Sequence, residues 1–217
     1  MIDIHASLNM PSMRLAILLL AAGEGSRLGG YPKALLKRGG ETLLRRFYLS
    51  AQHLRPIEFK VVTGFYSEAI GGEVKSLNQE VPDILLDCIH NPSPELGQSS
   101  SVRLGLESMK SEYDVLLIAL CDQPNVGAPE MEFLLKQFTS RSLGQEIILP
   151  LVHGQRGNPV LFSKGVIDDI LKIPGMVPRA YMDQNPRLVK TFQTSNQAYI
   201  VDVDTRVDIQ KLGLDAV

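Results

Sequence analysis

The chain has 217 residues, 44% of them hydrophobic, which is enough to bury the core of one α/β domain over 13–217. Its formal net charge of −2 disfavours nucleic acid as a partner, and its longest apolar run is too short to span a bilayer. Cys88 and Cys121 lie in apolar stretches without metal-ligand spacing, as is typical of a reducing compartment. Because residues 1–12 lack a basic signal-peptide start, we expect a cytoplasmic protein. We also expect these twelve residues to form a loosely ordered N-terminal extension. No nucleic-acid or membrane partner is expected, and the assembly is predicted to be a monomer or a weak homodimer.

Apolar stretches alternate with amphipathic ones along the chain, which predicts a three-layer, doubly wound α/β fold with a mostly parallel sheet. Strands are predicted at 14–22, 59–63, 84–88, 113–121, 146–151, 160–162, 187–193 and 199–203. Helices are predicted at 42–54, 67–77, 99–109, 129–138, 166–171, 177–182 and 206–212. Glycine and proline interrupt the elements beyond residue 153, so about 153–200 is interpreted as a lid and acceptor-binding half of the same domain.

A glycine-rich loop follows the first predicted strand and ends in Lys33. Its sequence is Gly23-Glu24-Gly25-Ser26-Arg27-Leu28-Gly29-Gly30-Tyr31-Pro32-Lys33. Glycines let backbone N–H groups turn toward an anion, and Arg27 and Lys33 add two permanent positive charges. A P-loop is excluded because neither Ser nor Thr follows Lys33, and no acidic residue ends the second strand as a dinucleotide site requires. The loop is predicted to hold a triphosphate; a tight turn with solvated charges is the less favoured alternative.

Acidic residues at the ends of later strands predict a metal site. Asp122 follows an apolar strand that Pro124 ends, which places its carboxylate in the ligand crevice of a parallel sheet. There it can bind Mg²⁺ beside a triphosphate. Asp202 and Asp204 lie two residues apart on a predicted strand and so on one face. One of them is expected to complete the site, although Asp204 or Thr205 capping the last helix is an equally good interpretation.

Two further segments bring polar groups toward the predicted ligands. Residues 97–103 open a helix with Ser100 and Ser101, whose neighbouring N–H groups suit a nucleobase or a phosphate. An ordinary capped helix is the alternative there. The loop 154–159 contains Arg156, Gly157 and Asn158, which suit an anionic acceptor, although a plain β-turn is equally compatible.

Taken together, these motifs resemble those of the MobA-like nucleotidyltransferases. The first and third motifs of that family are similar to Leu20-Ala21-Ala22-Gly23 with Ser26-Arg27-Leu28-Gly29 and Lys33, and to Asp122-Gln123-Pro124. Its molybdenum cofactor cytidylyltransferase branch is similar at Gly97, Ser100-Ser101-Val102-Arg103, Arg156-Gly157-Asn158-Pro159 and Asp202-Val203-Asp204-Thr205. Cys121 and Asn158 depart from this branch, which usually has glycine and histidine at these positions.

The resemblance implies a Rossmann-like nucleotide-diphospho-sugar transferase fold and a Mg²⁺-dependent nucleotidyl transfer. An NTP, with CTP favoured, would give its NMP unit to a phosphate-bearing small molecule and release pyrophosphate; molybdopterin is the acceptor implied by the branch. A sugar-1-phosphate nucleotidyltransferase and a nucleotide-binding module without turnover are the alternatives.

The same resemblance implies roles for individual residues. The implied catalytic residues are Arg27, Lys33 and Asp122, and the implied metal ligands are Asp122, Asp202 and Asp204. The implied nucleotide-binding residues are Leu20, Ala21, Ala22, Gly23, Glu24, Gly25, Ser26, Arg27, Lys33, Ser100 and Ser101. The implied acceptor-binding residues are Gln123, Arg156, Gly157 and Asn158.

Overall fold

An eight-stranded, mostly parallel sheet with helices on both faces forms the centre of the computed structural model, which describes residues 13–82 and 84–216. The predicted extension over 1–12 lies outside the described residues. The strands are β1 Leu15–Ala21, β2 Lys37–Arg38, β3 Glu41–Thr42, β4 Glu58–Thr63, β5 Leu86–His90, β6 Val115–Leu120, β7 Ile147–Val152, β8 Gln155–Arg156, β9 Val160–Ser163 and β10 Val189–Thr194. The α-helices are α1 Leu43–Gln52, α2 Ser67–Glu80, α3 Gln98–Ser108, α4 Ala128–Thr139, α5 Lys164–Lys172, α6 Pro178–Gln184 and α7 Arg206–Lys211.

The sheet has the order β10-β7-β9-β6-β1-β4-β5, and β8 pairs with β7. The pairs β6–β1, β1–β4, β4–β5 and β10–β7 are parallel, whereas β9 runs antiparallel to β6 and β7. This confirms the predicted mostly parallel sheet. Because β9 lies between β6 and β7, the segment assigned to the acceptor half shares the same sheet.

The first strand is buried on both faces, as its unbroken apolar sequence predicts. Ile17 and Leu19 join one core with residues of α1, α2 and α4. Leu18 and Leu20 join a second core with residues of α3, α5 and α6. The strand thus separates the two hydrophobic cores, and its carboxyl end is held at the centre of the sheet.

The predicted strand at 199–203 is wrong. A 3₁₀-helix, Gln197–Tyr199, lies there, and the following residues to 204 are irregular. The alternation of valine and aspartate imitates a strand, but β6, the nearby strand, already pairs with β1 and β9 on its two edges. One backbone hydrogen bond, from Val203 N–H to the Asp122 carbonyl at 3.0 Å, ties this segment to the loop after β6.

The other predicted strands and helices are present, with ends shifted by a few residues. The two-residue strands β2, β3 and β8 were not predicted, because such short pairings leave no period in the sequence. Among the described residues, no helix is both long and apolar enough to cross a membrane.

Candidate active site

The carboxyl ends of β1 and β6 meet at one edge of the sheet. The two strands are parallel neighbours, with Leu20 in register with Leu120. The glycine-rich loop leaves β1 at this edge, and Asp122 follows β6 at the same edge. Both border a cleft of about 710 Å³. The predicted anion loop and the predicted metal ligand therefore face one shared space, as ligand sites in parallel sheets do.

A lysine bridge joins the parts of this site. The Lys33 ammonium lies 2.8 Å from Asp122 Oδ2 and 2.7 Å from Asp204 Oδ1. Arg27 adds a second cation, with Nη2 at 2.9 Å from Asp204 Oδ2. The side chains of Lys33 and of the two aspartates that it bridges are mostly buried, with 18–30% of their surface exposed, whereas the Arg27 side chain is 69% exposed. Residues far apart in the chain, such as Lys33 and Asp204 at a separation of 171 positions, thus form one charged cluster.

The cluster shifts the proton affinities of its members. Burial alone would lower the pKa of Lys33, but the carboxylates of Asp122 and Asp204 outweigh it and raise that pKa. The hydrogen bond from Lys33 lowers the pKa of Asp204. Asp202 keeps an exposed surface, yet partial desolvation and the nearby charges of Asp122 and Asp204 raise its pKa. Negative charge is therefore crowded at this corner, and Lys33 is held in its protonated form.

The acidic residues fit a divalent cation only in part. Asp122, Asp202 and Asp204 all line the cleft and supply the hard oxygen ligands that Mg²⁺ prefers. Within 13–82 and 84–216, however, no group of three or more His, Cys, Asp or Glu side chains is arranged to hold a metal. Mg²⁺ commonly takes one or two carboxylates and completes its shell with phosphate oxygens and water. The residues thus fit an ion that enters together with a phosphate-bearing ligand.

The capping of α7 decides between two interpretations of the closing motif. Thr205 is the N-cap of that helix, and its side chain forms a capping box with Asp208. The Asp204 carboxylate contacts Lys33 and Arg27 instead. The predicted capping is therefore made by Thr205 and not by Asp204, and Asp204 is available to the site.

Four residues of the glycine-rich loop line the cleft: Gly23, Glu24, Arg27 and Lys33. Gly25 and Ser26 do not line it. Gly25 instead shapes the turn: its φ is +64°, and a Cβ there would lie 2.2 Å from the Tyr31 carbonyl oxygen. A side chain at position 25 would thus displace the segment that leads to Lys33. The predicted nucleotide-binding residues that line the cleft are Leu20, Ala21, Ala22, Gly23, Glu24, Arg27, Lys33 and Ser101.

The serine pair at the start of α3 divides between the cleft and the scaffold. Ser101 is buried and lines the cleft, and its hydroxyl accepts a hydrogen bond from Asn91 Nδ2 at 2.9 Å. Ser100 does not line the cleft; its hydroxyl donates to the Gly97 carbonyl at 2.8 Å. The Ser100 hydroxyl thus binds the backbone at the start of α3 rather than facing the cleft.

A second cleft of about 520 Å³ continues from the first, since Leu20, Gln98 and Leu120 line both. Three predicted acceptor residues line it: Arg156, Gly157 and Asn158. Arg156 also pairs with Asp183 at 2.6 Å. The floor is apolar, with side chains from β6, β7 and β9 such as Ile118, Leu149, Val160 and Phe162.

Gln123 is placed differently from its predicted role. It is buried, lines neither of these clefts, and donates from Nε2 to the Tyr199 carbonyl at 3.1 Å. The prediction that Gln123 contacts the acceptor therefore does not fit its position, which joins the loop after β6 to the segment before Asp202.

Phe65, Gln98 and Arg179 are among the residues that line the clefts but were absent from the predicted site. Phe65 is 43% exposed beside the glycine-rich loop, Gln98 borders both clefts, and Arg179 borders the second. Phe65 follows the strand predicted at 59–63 and Gln98 directly precedes the helix predicted at 99–109, so a position at the end of a predicted element was the available signal for them. Arg179 carried no such signal, because its position beside the second cleft depends on how α6 packs.

The chain belongs to the family of MobA-like NTP transferase domains, whose pattern matches residues 17–188. Bifunctional protein GlmU of Prochlorococcus marinus is 31% identical over 149 residues, which cover 68% of this chain and 31% of that protein. Molybdenum cofactor guanylyltransferase of Pseudomonas fluorescens is 27% identical over 149 residues, 67% of this chain and 65% of that protein. 2-C-methyl-D-erythritol 4-phosphate cytidylyltransferase of Streptomyces coelicolor is 37% identical over 116 residues, which cover 52% of this chain and 42% of that protein. The chain matches only about a third of the length of the GlmU relative.

Solved structures share the fold across nearly the whole chain. The crystal structure of Rv0371c from Mycobacterium tuberculosis has a TM-score of 0.69 at 20% identity, covering 93% of this chain and 98% of that one. A complex of Rv0371c with manganese has a TM-score of 0.65 at 18% identity, covering 92% and 98%. At these identities the likeness establishes the fold.

Proposed function

We propose that this member of the MobA-like NTP transferase family is a Mg²⁺-dependent nucleotidyltransferase. It joins the NMP unit of an NTP, preferentially CTP, to the phosphate of a small-molecule acceptor and releases pyrophosphate. The observation that carries the proposal is the Lys33 bridge, which brings the glycine-rich loop to within 2.8 Å of Asp122 and 2.7 Å of Asp204. Cations and carboxylates placed together in this way suit a polyphosphate bound with a divalent ion.

In this proposal the first cleft holds the nucleotide. Backbone groups of residues 21–24 face the phosphates, while Arg27 and Lys33 neutralise their charge. Asp122 with Asp204 or Asp202 would hold Mg²⁺, which when bound supplies charge neutralisation on the phosphates and favours departure of pyrophosphate. Manganese in one structural neighbour is consistent with a divalent ion at this fold.

The reaction needs no protein nucleophile. An oxygen of the acceptor phosphate forms a bond to the α-phosphorus, and the bond from that phosphorus to the bridging β-oxygen breaks, so that pyrophosphate leaves with the electron pair. The residues of this chain position the two phosphates and stabilise developing charge, which is the main requirement of phosphoryl chemistry. Loss of one such contact is expected to cost about 10²–10³-fold in rate.

We assign the acceptor to the second cleft. Arg156 and Arg179 supply positive charge for an anionic group, and the apolar floor offers surface to a bulky, partly apolar body. This combination supports a molybdopterin-type acceptor over a plain sugar phosphate. The molybdenum cofactor guanylyltransferase relative supports the same acceptor class, and a sugar 1-phosphate is the second candidate acceptor.

The test has two stages. Thermal-shift and calorimetric titrations with ATP, CTP, GTP and UTP, each with and without Mg²⁺, should show the tightest binding with CTP and Mg²⁺. Pyrophosphate release is then measured with molybdopterin and with a panel of sugar 1-phosphates. Lys33→Ala and Asp122→Ala should each lose turnover while keeping the fold.

Near-normal turnover in either variant would refute the assigned site. Metal-dependent NTP binding without pyrophosphate from any acceptor would instead favour a nucleotide-binding module without turnover. Failure of every NTP to bind would refute the proposal as a whole.

A further inference from the structure

Arg103 of α3 lies at the carboxyl end of α5 rather than in either cleft. Its Nη1 donates to the carbonyl of Ile170 at 3.1 Å, and its Nη2 donates to that of Leu171 at 3.0 Å. Nη1 also lies 3.1 Å from the carbonyl of Ile173 and 3.3 Å from that of Met176. One guanidinium thus gathers four carbonyl groups from the last turn of α5 and the loop after it.

The chemistry of both partners explains this contact. The last carbonyls of a helix have no partner within the helix and carry the negative end of its dipole. Arginine presents several donors in a fixed planar fork, so it can bind carbonyls in different directions at once. Glu107 fixes the other edge, accepting from Arg103 Nε at 2.6 Å, and the Arg103 side chain is only 20% exposed. The guanidinium is therefore held in place from both sides.

Each of the two segments that Arg103 joins lines a wall of the second cleft. Gln98, Ser99 and Val102 come from α3, just before Arg103 in the chain. The other wall follows directly after the loop that Arg103 binds, and its residues are Val177, Pro178, Arg179 and Met182. The separation of the walls, and the position of the Arg179 backbone, thus depend on the contact between Arg103 and these carbonyls.

We propose that Arg103 is a positioning residue that sets the width of the second cleft and so the affinity for the acceptor. It touches no substrate. The assignment of the acceptor to that cleft rests on the proposed function, whereas the mechanical role of Arg103 does not. The expected signature is a selective one: affinity for the acceptor falls, while affinity for the nucleotide is kept, because its cleft is lined neither by Arg103 nor by residues 173–182.

The first test needs no acceptor. Hydrogen–deuterium exchange is measured on wild type, Arg103→Gln and Arg103→Lys, with residues 173–182 compared with residues 15–27. The glutamine variant should exchange about tenfold faster or more over 173–182, since several charge-assisted hydrogen bonds are lost. Its dissociation constant for CTP with Mg²⁺ should stay within about threefold of wild type. Lysine keeps the positive charge but not the planar fork of donors, so the exchange rate of Arg103→Lys over 173–182 should fall between those of wild type and Arg103→Gln.

Arg141→Gln is the matched control. Arg141 also binds the carboxyl end of a helix: its Nη1 donates to the carbonyl of Phe138, in the last turn of α4, at 2.9 Å. It also pairs with Glu146 at 3.4 Å. It lines neither cleft. Its loss should lower the melting temperature without changing exchange over 173–182.

The second test uses whichever acceptor phosphate supports turnover. Arg103→Gln should raise KM for that acceptor about tenfold or more, with KM for the NTP little changed. An unchanged exchange rate over 173–182 in Arg103→Gln would overturn the proposal. An equal rise in KM for the NTP and for the acceptor would overturn it as well. If no acceptor supports turnover, the exchange result still decides the mechanical role, so failure of the proposed function and failure of this inference are distinguishable. If Arg103→Gln does not fold, Arg103→Lys carries the same two measurements.

Discussion

Replacing Lys33 with methionine tests the central bridge of the candidate site. Methionine keeps an unbranched apolar side chain of similar length but removes the ammonium from between Asp122 and Asp204. At 2.8 Å, the attraction of one unit-charge pair is about 6 kcal/mol at an effective dielectric constant near 20, and about 1.5 kcal/mol in bulk water. Desolvation and side-chain entropy offset part of this. For side chains that are mostly but not fully buried, we expect a loss of roughly 2–4 kcal/mol in unfolding free energy at pH 7.

The pH dependence of this loss has a definite sign. The folded-state pKa of Asp204 is lowered, so its contribution is present above the ordinary value of 3.8 and is lost as the pH falls. The folded-state pKa of Lys33 is raised, so its contribution is present below 10.5 and is lost as the pH rises through the raised value. The difference between wild type and Lys33→Met should therefore be largest near neutral pH and shrink toward both extremes.

Urea denaturation at several pH values measures this difference. Lys172→Met is the matched control, because Lys172 pairs with Asp169 at 2.8 Å but is 72% exposed. Exposed pairs contribute about 0–1 kcal/mol, so the control should change stability little. A Lys33→Met loss no larger than that of the control, or one that is independent of pH between about 3 and 7, would refute the reasoning.

Three further predictions follow from the same site. Asp122→Asn should remove the Mg²⁺ dependence of NTP binding in calorimetry while leaving the circular dichroism spectrum unchanged; full retention of that dependence would exclude Asp122 as a ligand. Asp202→Asn should stabilise the protein at pH 7 by up to about 0.5 kcal/mol in urea denaturation, because the raised pKa of Asp202 reports desolvation of its carboxylate first and repulsion by Asp122 and Asp204 second, both of which water partly screens; a loss of stability would contradict this. Gly25→Ala should lower the unfolding free energy by about 2 kcal/mol or more, since the φ of +64° and the Tyr31 carbonyl both oppose a Cβ. Gly23→Ala is the control and should change the unfolding free energy less, because a Cβ at position 23 would meet no atom within 4 Å.

Local sequence patterns were sufficient to predict the architecture and most of the first cleft. An apolar strand followed by glycines and two cations, and a second apolar strand that ends at Asp122, require only local patterns and the rule that parallel strands share a carboxyl edge. These patterns also placed Arg27 and Lys33 in the same loop. Local chemistry is sufficient here because each group stands directly after the strand that positions it.

Which polar groups contact one another depended instead on the packing of the folded chain. The valine–aspartate alternation at 201–204 predicted a strand, but the neighbouring sheet positions were already occupied, so Asp204 reached Lys33 from an irregular segment. Gln123 turned into the interior to bind the Tyr199 carbonyl, and Arg103 turned to the end of α5. These outcomes depend on contacts between residues far apart in the chain, where competition for hydrogen-bond partners and sheet edges leaves no periodic signal in the sequence.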